Sequence, residues 1–234
     1  MNKREKPNKP GKPGPAALER QAVVMEGVGR TKSKWREYAE SLIIAALIAF
    51  FVRSFVVQAF KIPSSSMEPT LLIGDHLLVN RLSYVIKVPF TDIVMLRVGK
   101  PNRGDVLVFR YPQDRTKDFI KRVIAVEGDV VEVKDKIVYV NGGKVDYPQA
   151  IFAEQTVIPG YFSPRDNIGP LAVSKDSYFV MGDNRDRSLD SRFWGFVPYE
   201  DLVGRALIIY FSWNNGPASL IDYVRWTRIG SLIR

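Results

Sequence analysis

The twenty residues SLIIAALIAFFVRSFVVQAF, Ser41 to Phe60, constrain this chain more than any other stretch. Leu42 to Val52 is unbroken apolar sequence, and Phe55 to Phe60 resumes it after Arg53 and Ser54. As one helix, Leu42 to Phe60 would reach about 28 Å at 1.5 Å per residue, close to the roughly 30 Å of a hydrocarbon core. A single transmembrane helix over 41–60 is therefore expected. Arg53 costs about 2.5–3.5 kcal/mol at mid-membrane and less toward a helix end, where its long side chain reaches the interface. Two other readings fit the same letters: a buried core helix, and a cleavable signal peptide ending at Val57-Gln58-Ala59. Against the second, the segment ahead of the apolar run is far longer than the n-region of such a signal.

Charge sets the expected orientation. Residues 1–36 hold ten Lys/Arg against three acids, Glu5, Glu19 and Glu26, whereas the remainder of the chain holds 24 basic and 22 acidic residues. The formal charge of +9 is thus a property of the tail and not of a folded face, which argues against a nucleic-acid partner. Basic residues ahead of an apolar span keep that end in the cytoplasm. The expectation is a single-pass protein of the inner (cytoplasmic) membrane, with a basic, disordered cytoplasmic tail over 1–40 and everything after Phe60 outside, in contact with phospholipid. The chain has no cysteine and one histidine, His76, so thiolate chemistry is excluded and no metal or other cofactor is expected.

Beyond the apolar run the chain reads as strands: 75–80, 105–112, 119–126, 129–135, 136–142, 177–183 and 205–211. These segments are short, rich in Val, Ile, Phe and Tyr, and punctuated by Gly, Pro, Asn and Asp. Asp135-Lys136 suits a tight hairpin turn, and Asn141-Gly142 closes the next strand. A mostly β, antiparallel sheet or barrel-like body over 61–215 follows. Residues 143–176, with four prolines and little periodicity, read as an insertion lying over the sheet. The C-terminal segment 216–234 mixes aromatic and aliphatic residues with arginines and suits a packing helix or an interfacial segment equally.

The chemistry concentrates in KIPSSSMEPTL, Lys61 to Leu71, with three adjacent serines. A serine needs a base to take its proton. His76 sits in an alternating strand pattern, where a half-buried structural role is the ordinary one. A lysine serves only if burial among apolar groups lowers its pKa from about 10.4 toward the working pH. Lys121, in DFIKRVIAV, meets that condition: alternation puts it on one face with Phe119 and Val123, while Ile120, Arg122 and Ile124 take the other. Taken alone, Lys121 fits an edge-strand lysine that discourages unwanted pairing better than it fits a base.

IPSSSMEPTL, followed in order by NRGDVLVFRYP, DFIKRVIAVEGD and GDNRDRSLDSRFWGFVP, resembles the ordered boxes of the bacterial type I signal peptidases, membrane-anchored Ser/Lys endopeptidases. The resemblance implies a serine endopeptidase that removes signal peptides from translocated preproteins after small residues, Ala-X-Ala, with the mostly β fold of that family. It implies Ser66 as nucleophile, Lys121 as general base, and an oxyanion hole built from the Ser64 hydroxyl and the Ser66 backbone N–H. Ser188 is similar to a serine that orients the lysine, and Asp190 and Arg192 to a supporting ion pair. Phe60, Ile62, Met67, Leu71, Phe119 and Ile120 match the small apolar pockets for the signal peptide. Ser65 stands where many members have glycine. Two other functions fit the boxes less well: a related Ser/Lys peptidase dedicated to one secretion or conjugation substrate, and a non-enzymatic membrane-anchored β scaffold.

Overall fold

The computed structural model describes residues 34–88, 91, 93–214, 216 and 221–234. The basic tail up to residue 33, expected to be disordered, lies outside the described residues. The chain separates into two compact units, the first ending at Ile48 and the second running from Ala49 to Arg234.

Helix α1 spans Lys34–Phe51, so its first turns take residues that the charge pattern assigned to the tail. A π-helical turn over Val52–Val56 follows, and the chain then goes straight into strand β1, Val57–Lys61. The expected continuous helix over 41–60 is therefore corrected: its last four residues are strand. Lys34, Arg36, Glu37 and Glu40 occupy the first two turns, and the apolar part that stays α-helical, Leu42 to Phe51, measures only about 15 Å at 1.5 Å per residue. Among the described residues no helix is long and apolar enough to cross a membrane. The end of the run departs from helix because Val57 and Phe60 suit a pleated strand and a partner is available: β1 pairs antiparallel with β2, Asp75–Asn80, from Val57 opposite Asn80 to Lys61 opposite His76.

The second unit is built on antiparallel sheets. A hairpin of β3, Val85–Lys87, and β4, Val94–Arg97, stands by itself. The main sheet continues with β5, Val106–Tyr111, and β6, Asp114–Ala125. Strands β7, Val130–Lys134, β8, Ile137–Val140, and β9, Gly143–Lys144, are joined by two tight hairpins. Their turns place Asp135, Lys136, Asn141 and Gly142 at positive φ, the geometry that matches the right-handed twist of the flanking strands. Residues 143–176 are not featureless. They supply β9 and β10, Ile168–Ala172, the two edges of a four-stranded sheet ordered β10-β7-β8-β9.

Three strands complete the main sheet: β11, Ser177–Met181, β12, Val197–Pro198, and β13, Leu202–Ser212, with the short helix α2, Ser191–Trp194, between the first two. The order is β1-β2-β13-β5-β6-β11-β12, and no described pairing joins its two edges, so the sheet is open rather than barrel-closed. Its two faces bury different clusters. Val106, Val108 and Leu77 pack with Met67 and Leu71 on one face, and Leu107, Phe109 and Val123 with Tyr199 and Leu202 on the other.

Among the described residues the C-terminal segment forms no packing helix and folds back on the sheet. Short turns over Ile221–Tyr223 and Trp226–Arg228 run back along β13, with bridges from Trp213 to Val224 and from Ile208 to Leu232. Ile233 is buried in the first cluster. Arg228 donates to both carboxylate oxygens of the buried Asp75 and to the Thr70 carbonyl. Burial alone would raise the Asp75 pKa, but hydrogen bonds from Arg228 and Ser212 outweigh it and hold the carboxyl below its usual range.

Candidate active site

The three serines lead into and form a single 3-10 turn, Ser65–Met67, with Ser64 extended just before it. That conformation is open to any L-residue, so Ser65 causes no backbone strain where a glycine could stand. The turn is pinned at both ends: Glu68 N–H donates to the Ser65 carbonyl at 3.1 Å and Leu71 N–H to the Met67 carbonyl at 2.8 Å. From across the molecule, Asn184 donates its backbone N–H to the Ser66 carbonyl at 3.1 Å and its side-chain amide to the Ser65 carbonyl at 3.3 Å. The GDNRDRS segment thereby holds the serine turn in register.

Lys121 lies on β6, an interior strand, opposite Leu107 of β5 and next to Arg122, where the pairing with β11 begins. Its Nζ lies 2.7 Å from Ser66 Oγ and donates to the Ile120 carbonyl at 2.9 Å. Lys121 is 4% exposed and Ser66 7%. Burial pushes the Lys121 pKa down to about 8; Asp190 and Asp183 oppose that shift and Arg192 adds to it. A buried amine that titrates near neutrality and touches a serine hydroxyl has the geometry and the protonation range of a general base.

Two buried ion pairs hold the loop behind this contact. Asp190 accepts from Arg192 Nε and Nη2, both at 2.8 Å, and from the Gly182 N–H at 3.0 Å. Burial would raise the Asp190 pKa, but the charge and hydrogen bonds of Arg192 keep the carboxylate ionised below its usual range. Arg192 in turn donates to the carbonyls of Arg165 and Arg185, each at 2.6 Å, so one guanidinium gathers three loop segments. Ser188 Oγ is buried near Asp190 without a partner in hydrogen-bond geometry, and makes no described bond to Lys121. The second pair was not singled out from the sequence: Arg122 donates Nε and Nη2 to the two oxygens of Asp183, both at 2.7 Å. A signal for it existed, because an arginine alternating with Ile120 and Ile124 in an apolar strand must find an anion if that face is buried.

Beside Ser66 and Lys121 a groove of about 350 Å³ is lined by Pro63, Ser64, Phe119, Ile120, Arg187 and Leu189. It adjoins a small cavity of about 40 Å³ walled by Phe60, Ile62, Pro63, Val108, Phe119 and Ile120, with room for a methyl-sized group rather than a large side chain. Four of the six expected pocket residues are thus brought together. Met67 and Leu71 lie elsewhere, fully buried in the core with no exposure, and line neither cavity. Ser64 is exposed at the groove. His76 is remote in role: its Nδ1 lies 3.1 Å from the Gly74 carbonyl and its ring meets Tyr210 and Phe211 edge-on. Among the described residues no cluster of His, Asp or Glu could hold a metal ion.

With this geometry in hand, comparison with known proteins is specific. Residues 35–213 match the family model described as signal peptidase, peptidase S26. The chain is 38% identical over 239 aligned positions to a signal peptidase I of Pseudomonas fluorescens, covering 89% of this chain and 83% of that one. It is 37% identical to the signal peptidase I of Pseudomonas aeruginosa, covering 83% and 78%, and 39% identical to a probable signal peptidase I-2 of Synechocystis, covering 77% and 75%.

Proposed function

The chain belongs to the type I signal peptidase family, peptidase S26, whose members are serine endopeptidases, and from that premise we propose that Ser66 and Lys121 are its nucleophile and general base. The observation that carries this reading is the 2.7 Å contact between Lys121 Nζ and Ser66 Oγ, with both groups buried. Neutral Lys121 takes the hydroxyl proton as Ser66 Oγ bonds to the scissile carbonyl carbon. The carbonyl oxygen becomes an oxyanion, stabilised by the Ser66 N–H and the Ser64 hydroxyl at the groove. The ammonium then returns its proton to the leaving amine as the C–N bond breaks. Water, deprotonated by the same lysine, releases the acyl chain from Ser66.

Asp190 and Arg192 position the segment that carries Ser188 and Gly182 against the serine turn. The 40 Å³ cavity bordered by Phe60, Ile62, Phe119 and Ile120 fits the small side chains of an Ala-X-Ala site in the signal peptide of a preprotein. Met67 and Leu71 support that wall from within the core. The exposed apolar residues of α1, Leu42, Ile43, Ile44, Leu47, Ile48, Phe50 and Phe51, support a membrane anchor continuing through the Val52–Val56 turn, with the basic tail cytoplasmic and the β body outside. The test is direct. Incubating the full chain in detergent with several unrelated preproteins and sequencing the new N-termini is expected to show cleavage after Ala-X-Ala in each. Protease added outside the inner membrane should digest the β body and spare the tail; the opposite pattern overturns the orientation.

A further inference from the structure

A second cavity, of about 420 Å³, opens between β1, β3, β5 and β13 and shares only Asp118 with the groove beside Ser66. Its described lining holds three cations, Arg81, Lys87 and Arg110, against the single carboxylate of Asp118, with Gln58 and Thr91 as neutral polar groups. Asp118 stands directly across the β5–β6 ladder from Arg110. Asp201, which also acts on Lys87, is bridged by Arg115 at 3.1 Å.

The cations crowd one another. Lys87 is buried, and its Nζ donates to the Glu200 carbonyl at 2.6 Å. Burial pushes its pKa down to about 8, and Arg110, Arg81 and Arg115 push the same way. Arg81 is lowered too, first by burial and then by Arg110. Like charges held together in a partly dry recess repel, and an anion entering the recess relieves that repulsion. Guanidinium edges match phosphate oxygens two at a time, and a lysine ammonium adds a point charge.

We propose that this cavity is a binding site for a phosphate-bearing anion, held by Arg81, Lys87 and Arg110. Its surroundings favour a lipid headgroup as the source. The Arg81–Ser83 turn lies against the Val52–Val56 turn that follows α1. The hairpin that contributes Lys87 also exposes Ile93, Met95, Leu96 and Val98 beside its second strand. Such a surface meets lipid tails and phosphates at once. The site does not depend on the assignment of Ser66 and Lys121.

The full chain is titrated at fixed ionic strength with inorganic phosphate and glycerol phosphate by phosphorus NMR. Its binding to phosphatidylcholine vesicles, with and without phosphatidylglycerol, is measured in parallel. Arg81→Gln and Arg110→Gln are compared with Lys175→Gln, which removes a charge from an exposed position outside the cavity; thermal melting confirms folding of each. Each cavity variant is expected to lose about fivefold in affinity for phosphate or for phosphatidylglycerol, while Lys175→Gln stays near the parent. A gain on phosphatidylglycerol that survives excess inorganic phosphate but falls in Arg81→Gln identifies the headgroup. Saturable phosphate binding with no phosphatidylglycerol gain identifies a free ester. Equal losses in all three variants, or no phosphate binding by the folded parent, overturn the proposal. Because the readout is binding and not cleavage, that failure would leave the Ser66–Lys121 reading standing.

Discussion

Gly182 runs so close to Ser66 that a methyl group on its α-carbon would collide with the Ser66 carbonyl oxygen, and with the Ser188 side chain as well. The Ser66 carbonyl is backbone and cannot swing aside. Gly182→Ala must therefore move either the serine turn or the Gly182 strand end that faces it. Overpacking of this kind costs about 1–3 kcal/mol, and a misplacement of about 1 Å at a reacting group costs about 10²-fold in rate. Melting temperature and kcat/KM on a preprotein should both fall; parent-like cleavage by the alanine variant would show that the close approach does not matter.

The titration of Lys121 sets the pH dependence. The amine must be neutral to accept the Ser66 proton, so kcat/KM is expected to rise with pH and reach half its plateau near pH 8, the value to which burial pushes this lysine. Lys121→Arg should be inactive at every working pH, because guanidinium does not give up its proton. His76→Ala should keep the same profile, since its ring is engaged with Gly74, Tyr210 and Phe211. An inactive, folded His76→Ala together with an active Lys121→Arg would replace the lysine by the histidine.

Stability carries the same signature. Between about pH 8 and 10.5 the unfolded chain holds a proton on Lys121 that the native chain has lost, so folding is favoured progressively as pH rises through that window. Denaturant unfolding of the parent across this range, set against Lys121→Met, should show a steeper rise in the parent, because Lys87, also lowered to about 8, still titrates in the variant. A parallel pair of curves would mean that the native pKa is not depressed.

The three serines separate by position. Ser66→Ala should abolish cleavage, and Ser64→Ala should lower kcat by about 10² to 10³ if its hydroxyl supports the oxyanion. Ser65→Ala should retain most activity, because the contact that Ser65 makes to Asn184 is through its backbone carbonyl. Equal loss from Ser65→Ala and Ser66→Ala would move the nucleophile.

Asp190→Asn leaves the Arg192 guanidinium buried without its anion, which is expected to cost about 3–5 kcal/mol. The drop should appear in the urea midpoint. Adding Arg192→Met should recover part of it, because an apolar replacement removes the orphaned charge. Failure of the double variant to recover anything would mean that the arginine's bonds to the Arg165 and Arg185 carbonyls carry the stability.

Much of the β body was legible because its strands carry their own signals. The stretch 75–80 alternates buried and half-buried residues along its whole length, and Asp135-Lys136 adopts the turn its residues predict. The end of the apolar run was not legible, since Val57 and Phe60 serve a strand as well as a helix and only the presence of β2 decides between them. Strand β4 and the edges β9 and β10 are short or lack a clear period, and they exist through pairing rather than through composition. At the site, the apolar neighbours of Lys121 made it a candidate but suited an edge-strand lysine better, and only the ordered motifs favoured it as a base. Arg122 and Asp183 could not be paired, because sixty residues of intervening chain hide a contact that only folding creates. Met67 and Leu71 show the converse: apolar residues near the proposed nucleophile satisfy the core as readily as a substrate.

The clasp between Arg228 and Asp75 bears on how the molecule is made. Arg228 also holds the Thr70 carbonyl, in the stretch that leaves the serine turn, so a residue made 158 positions later secures a loop laid down earlier. Until the ribosome has delivered that arginine, the carboxylate destined for the interior lacks the cation that makes its burial tolerable. A nascent chain that has emerged only as far as β13 therefore leaves the loop after the serine turn unsecured, and this corner of the molecule closes only once residue 228 has followed.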